Sequence, residues 1–230
     1  MTRDLKGMYA ALMTGLTDTG DFSPERQTNL NKYVLGQGLA GLYVGGSSGE
    51  SGLLDLAALK EQQNVVAKDC AGHDTTLIAH VGMASTRDSV DLAKTAQSLG
   101  YHALSALPPH AYPFSDLEII EYYRELSAAT DLPLIVYEVP IRTGRPIPLD
   151  VLTTILDLPG VAGIKFTSTD LYKLALLRRS RPDALYYFGF DEVYLSGAAL
   201  GVSGGIGTTY NLLGKLYVAL NQAIQKGDLT

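Results

Sequence analysis

Eight short apolar runs recur along the chain, at residues 8–12, 42–44, 77–81, 103–107, 134–137, 161–164, 185–188 and 202–206. They are continuous, not alternating, which is the pattern of strands buried on both faces of a parallel sheet. Between them lie segments of helical periodicity with readable start signals. Ser23-Pro24-Glu25 offers an N-cap, a first-turn proline and an early acid, and that helix stops near Gly38. Ser85 caps a helix with the face Val90, Ala93, Ala96 and Leu99. Ser115 opens another, bearing Ile119, Ile120, Tyr123 and Leu126. After Asp170 come Leu171, Leu174 and Leu177, with Arg178, Arg179 and Arg181 at the helix's negative end. The last helix is expected to begin near Leu212. Eight β/α units, recurring every ~25–30 residues, predict a (β/α)8 TIM barrel. An open doubly wound sheet also alternates strand and helix, but it has fewer strands, and no G-x-G-x-x-G opens the first helix here. No linker or low-complexity tract divides residues 1–230, so one catalytic domain is expected.

Composition narrows the partners. The net charge of −6 and the lack of a Lys/Arg run argue against nucleic acid. No apolar stretch approaches a membrane span, and Met1-Thr2-Arg3-Asp4-Leu5-Lys6 leads into no signal-peptide core. A single cysteine, Cys70, rules out an intrachain disulfide framework and suits a reducing compartment, so the cytoplasm is expected. His73, His80, His102 and His110 are scattered, and no metal is expected.

A barrel of this kind keeps its chemistry at the carboxyl ends of its strands. Run two ends in Gly45-Gly46-Ser47-Ser48-Gly49-Glu50, either a bare turn or a receptor for a carboxylate or phosphate. Run five ends in Tyr137-Glu138-Val139-Pro140, where the phenol is either a general acid/base or filling for the barrel top. Run six ends at Lys165, which either snorkels to solvent or is desolvated into a neutral, nucleophilic amine. Run seven ends in Gly189-Phe190-Asp191-Glu192 and run eight in Gly204-Gly205-Ile206-Gly207-Thr208-Thr209. The acid pair recognises sugar hydroxyls, binds a metal or caps the next helix. Their placement on one rim supplies what a class I aldolase needs: a carboxylate cradle, an amine, a phenol and polyol-binding acids.

These motifs resemble the N-acetylneuraminate lyase and dihydrodipicolinate synthase superfamily over essentially the whole chain. Gly45-Gly46-Ser47-Ser48-Gly49-Glu50 resembles its pyruvate-carboxylate motif, usually written with Thr where Ser48 stands. Tyr137 and Pro140 match its tyrosine motif, and Lys165 its imine-forming lysine. The stretch from Lys165 to Tyr172, Gly189-Phe190-Asp191-Glu192 and the run from Gly204 to Asn211 look like the sialic-acid branch. The resemblance implies reversible aldol cleavage of N-acetylneuraminate to N-acetylmannosamine and pyruvate, without an external cofactor and in a homotetramer. It implies that Lys165 forms the imine, Tyr137 moves the proton with Ser47 orienting its phenol, and Ser48 helps to hold the carboxylate. Thr167, Gly189, Asp191, Glu192 and Thr208 would then contact the sugar chain. Three residues depart from the pattern. Glu138 replaces the usual asparagine, Ala111 a common tyrosine, and Arg142-Thr143-Gly144 resembles the synthase branch, where the arginine holds a second carboxylate. The rivals are therefore a synthase-like aldolase and a non-catalytic barrel that senses a 2-oxo acid. The family also continues with further C-terminal helices, and Gly227-Asp228-Leu229-Thr230 stops before them, so a fragment of a longer protein, or one part of a split one, is expected.

Overall fold

The computed structural model describes residues 3–228; Met1, Thr2, Leu229 and Thr230 of the sequence reading lie outside the described residues. Eight strands form a closed, all-parallel barrel in chain order: β1 Gly7–Ala11, β2 Gly41–Val44, β3 Thr76–His80, β4 Ala103–Ala106, β5 Leu134–Glu138, β6 Val161–Phe166, β7 Leu185–Phe188 and β8 Gly204–Gly207. Pairing of β1 with β8 closes the ring. Around it run α1 Pro24–Leu35, α2 Leu56–Asp69, α3 Thr86–Ser98, α4 Asp116–Ala128, α5 Pro140–Thr143, α6 Leu149–Leu156, α7 Leu171–Ser180, α8 Tyr194–Ala199 and α9 Tyr210–Gln225.

The helix starts follow the local chemistry of the sequence. Ser23 accepts from the Arg26 N–H with Pro24 at the first turn, and Ser85 accepts from the Asp88 N–H. Ser115 and Glu118 form a reciprocal capping box, satisfying two otherwise orphaned donors. Asp170 accepts from the Lys173 N–H.

Side-chain alternation along the strands separates two cores. Tyr9, Tyr43, Ile78, Ile135, Tyr187 and Ile206 point inward and fill the barrel. Met8, Leu42, Leu104, Val136, Ile164 and Phe188 point outward and pack beneath the helices.

Several strand ends shift by one residue from the sequence reading, and three boundaries shift by two. The apolar run stops at Ile164 but strand β6 continues: Lys165 pairs in register with Tyr137 and Tyr187, and Phe166 with Glu138 and Phe188. The charge on Lys165 interrupts the apolar run but not the ladder, because backbone pairing is indifferent to the side chain. Strand β8 spans 204–207, not 202–206, since glycines carry no hydropathy signal. A side chain at Gly205 would strike Tyr210, Met8 and Tyr194. The last helix starts at Tyr210, two residues early, with non-helical backbone at Leu213. On this side of the barrel Leu195, Leu212, Leu213 and Leu216 are exposed.

Ile135 is fully buried inside the barrel. Ile135→Ala is expected to cost about 2–5 kcal/mol through lost burial and the cavity left behind, read from urea unfolding at unchanged m-value.

Candidate active site

The rim at the carboxyl ends of the strands encloses a cavity of about 440 Å³. Ser47, Ser48, Tyr137, Lys165, Thr167, Gly189, Asp191, Glu192 and Thr208 all line it, so every site residue named from sequence converges on one place. Ile141, Arg142, Phe190 and Thr209 line it as well. A second opening of about 600 Å³ adjoins it, sharing Ser47, Ile141 and Arg142.

Lys165 does not snorkel. Its side chain is inward and only 3% exposed. Nζ lies 4.1 Å from the centroid of the Tyr43 ring and 4.0 Å from that of Tyr137. Burial holds its amine below the ordinary lysine value of 10.5, against the upward pull of Tyr137 and Asp191. Such an amine loses its proton more easily and is a better nucleophile toward a carbonyl carbon. The Tyr137 phenol is pushed up by burial, but the Lys165 charge and hydrogen bonding with Ser47 outweigh that push and hold it below its ordinary value. The downward pull requires a positive charge at Lys165. A protonated imine at that nitrogen would keep the charge in place, whereas the neutral amine would not.

The rim loops present the polar groups. After β2 the chain turns at Gly45 (φ 75°), a left-handed conformation that favours glycine, into a 3₁₀ turn at Ser47–Gly49. Ser48 Oγ and Thr208 Oγ1 lie 2.5 Å apart and link the β2 and β8 loops. Gly189 has no alternative, since a Cβ there would collide with Thr167 Oγ1. Asp191 Oδ2 accepts from both the N–H and the hydroxyl of Thr209, each at 2.8 Å, and burial raises the Asp191 carboxyl. Asp191 Oδ1 is buried against Gly207 with no hydrogen-bond partner, and Thr167 Oγ1 is buried beside the Tyr137 phenol, which it helps to hold below its ordinary value.

Four further residues, not assigned to the site from sequence, shape it. Tyr43 sits inside an apolar run and reads as core, yet its ring is one wall of the Lys165 site and its hydroxyl lies 3.0 Å from Ser105 Oγ. His80, read only as one of four scattered histidines, ends β3 and faces Tyr137 edge-on, centroids 6.0 Å apart at 90°. Inward alternation along β2, β3 and β4 was the signal that would have found all three. The fourth is Lys173 on α7, which explains Glu138. That carboxylate faces the helix layer, not the cavity, and is fully buried. Lys173 Nζ donates to Glu138 Oε1 at 2.9 Å and to the Ile147 carbonyl at 2.5 Å, while the Ile147 N–H donates to Glu138. The pair fastens the segment carrying Ile141 and Arg142 onto β5 and α7. Among the described residues, no three His, Cys, Asp or Glu side chains gather as a metal site would require.

Fold and site together define a (β/α)8 barrel with a buried amine beside a phenol at the carboxyl ends of its strands. The chain belongs to the dihydrodipicolinate synthetase family, whose profile matches residues 4–230. An N-acetylneuraminate lyase of Salmonella paratyphi B is 41% identical over all 230 residues, covering 77% of that protein. A Clostridium difficile protein crystallised in complex with mannosamine superposes with a TM-score of 0.94 at 32% identity, over 97% of this chain and 77% of the other. An N-acetylneuraminate lyase of Mycoplasma synoviae gives 0.90 at 34% identity, over 97% and 75%.

Removing one partner of the Glu138–Lys173 pair strands the other charge in a buried setting. Glu138→Ala is expected to destabilise the fold by about 3–5 kcal/mol, and Glu138→Leu with Lys173→Met to recover most of it, measured by denaturant unfolding.

Proposed function

We propose that this protein is a class I aldolase that reversibly cleaves N-acetylneuraminate to N-acetylmannosamine and pyruvate through an imine on Lys165. The observation that carries the reading is the amine of Lys165, buried between two aromatic faces in a cavity that Ser47, Ser48, Thr167, Asp191 and Thr208 also line.

In the forward direction Lys165 Nζ attacks the C2 ketone of the open-chain sugar, and water leaves to give a protonated imine. Ser48 and the first N–H groups of the Ser47–Gly49 turn hold the substrate carboxylate, since the start of a helical turn offers free donors. The Tyr137 phenolate, oriented by Ser47, takes the C4 hydroxyl proton. The C3–C4 bond then breaks, its electron pair passing into the imine to give an enamine, and the aldehyde departs. Tyr137 returns the proton to C3, and water hydrolyses the imine to release pyruvate. Thr167, Gly189, Asp191, Glu192 and Thr208 contact the sugar chain. The barrel acts as one catalytic domain. Membership of a family of this kind supports a homotetramer, and the free, buried Cys70 suits a reducing cytoplasm.

Arg142 supports a second reading. It lines the cavity, and no carboxylate among the described residues forms an ion pair with it. A substrate with a second carboxylate, such as aspartate semialdehyde, would find its counter-ion there. Asp191 and Glu192 oppose that anion across the same cavity, which favours the sugar.

Borohydride with pyruvate is expected to leave one adduct, on Lys165, seen by peptide mass spectrometry; an adduct elsewhere, or none, sinks the imine. Its trapping rate should rise with pH around a midpoint below 10.5, because burial lowers the lysine and only the neutral amine attacks. Tyr137→Phe should still trap pyruvate but lose cleavage by about 10²–10⁴. Efficient condensation of aspartate semialdehyde with pyruvate, abolished by Arg142→Ala, would reverse the choice of substrate.

A further inference from the structure

We propose that His80 is a positioning residue for this reaction: its imidazole ties the turn that receives the substrate carboxylate to the end of β4, and so sets that turn against the Tyr137 phenol. The inference rests on the function proposed above and extends it to a side chain that touches no reacting atom.

The argument starts where the strand ladder stops. Backbone pairing between β2 and β3 ends at Val44 with Ala79, and pairing between β3 and β4 at His80 with Ser105. Beyond those pairs one further backbone bond remains, from the Val81 N–H to the Ser105 carbonyl at 2.7 Å, before the chain enters the rim loops. The His80 side chain takes over the bonding there. Its Nδ1 lies 2.9 Å from the carbonyl oxygen of Gly45, the first residue past β2. Its Nε2 lies 3.3 Å from the N–H of Leu107, the first residue past β4. One ring therefore spans three strands, bonding the residues that directly follow β2 and β4.

Both partners have fixed polarity, so the proton position follows. A carbonyl only accepts, which puts the hydrogen on Nδ1; an N–H only donates, which requires Nε2 to be bare. The bridge needs the neutral ring. Burial, reinforced by the charge of Lys165, pushes the His80 pKa down to about 3, so the ring stays neutral throughout the working range. Neither nitrogen is left over to act as an acid or base.

Space has been cleared for the bridge. A Cβ on Gly82 would sit 2.9 Å from the Leu107 nitrogen and 3.1 Å from His80 Nε2. The ring also packs edge-on against Tyr137 and at 45° to Tyr43, the two faces that flank the Lys165 amine. His80 thus fixes Gly45, which leads directly into Ser47 and Ser48, and walls the phenol, with one rigid group.

The test compares His80→Phe, which keeps a ring but loses both bonds, with His80→Asn, whose amide N–H can still reach Gly45. Half-saturation by pyruvate in borohydride trapping and the kcat and KM for N-acetylneuraminate are measured, with thermal melting as the check on folding. The Phe variant should need about tenfold more pyruvate, the worth of one or two lost hydrogen bonds, yet reach full labelling of Lys165 at saturation. The Asn variant should recover to within about threefold of wild type, and the basic and acidic limbs of the pH–kcat/KM profile should stay in place. If the Phe variant fails to fold, Asn against Ala carries the same comparison. Wild-type pyruvate affinity in a variant lacking both bonds, or no recovery in Asn, overturns the role, as does a shifted limb, which would make His80 a proton carrier. A wild-type protein that traps no pyruvate overturns the proposed reaction itself, a result distinct from any difference among the His80 variants.

Discussion

The site depends on keeping a lysine amine inside the barrel without giving it a carboxylate partner at contact distance. Desolvation opposes the ammonium form, and the faces of Tyr43 and Tyr137 offset only part of that cost by cation–π attraction. Asp191 favours the charge from across the cavity, but its own oxygen is already committed to Thr209. The balance leaves Lys165 poised below its ordinary value, where a nucleophilic amine is within reach.

That balance is possible because neighbouring residues on a strand face opposite sides. Lys165 on β6 pairs in register with Tyr137 on β5, and both point inward. Glu138, one residue on, points outward into the helix layer, where it meets Lys173. A register slip of one residue would exchange these faces and set the carboxylate in the barrel beside the amine. An ion pair there would favour the protonated lysine over the neutral amine. Two buried charges thus coexist on adjacent strands because the pleat keeps them apart.

The rest of the rim is fixed by groups that do no chemistry of their own. Gly189 admits the Thr167 side chain, and the Glu138–Lys173 pair fastens the segment bearing Ile141 and Arg142. Thr209 binds one oxygen of Asp191 while the other lies buried against Gly207. Each arrangement narrows the freedom of a side chain lining the cavity, and polar groups held in advance of binding reduce what a ligand must order.

The eight-unit barrel and its helix starts were legible from local chemistry, because continuous apolar runs and Ser, Asp and Pro at helix entries act over a few residues. The rim set was legible too, since strand ends in a barrel point to one side: Ser47, Tyr137, Lys165, Asp191 and Thr208 share a cavity although 161 positions of chain separate the first from the last. Hydropathy misplaced the ends of β6 and β8, where a charge and a run of glycines hide strand from any reading of side chains. What sequence could not decide was which way each polar residue faces and which distant group meets it. The wall that Tyr43 gives Lys165, the bridge through His80, and the pairing of Glu138 with Lys173 are contacts between elements far apart in the chain. Only closure of the barrel brings them within hydrogen-bonding or van der Waals reach, because those forces fall away over a few ångströms.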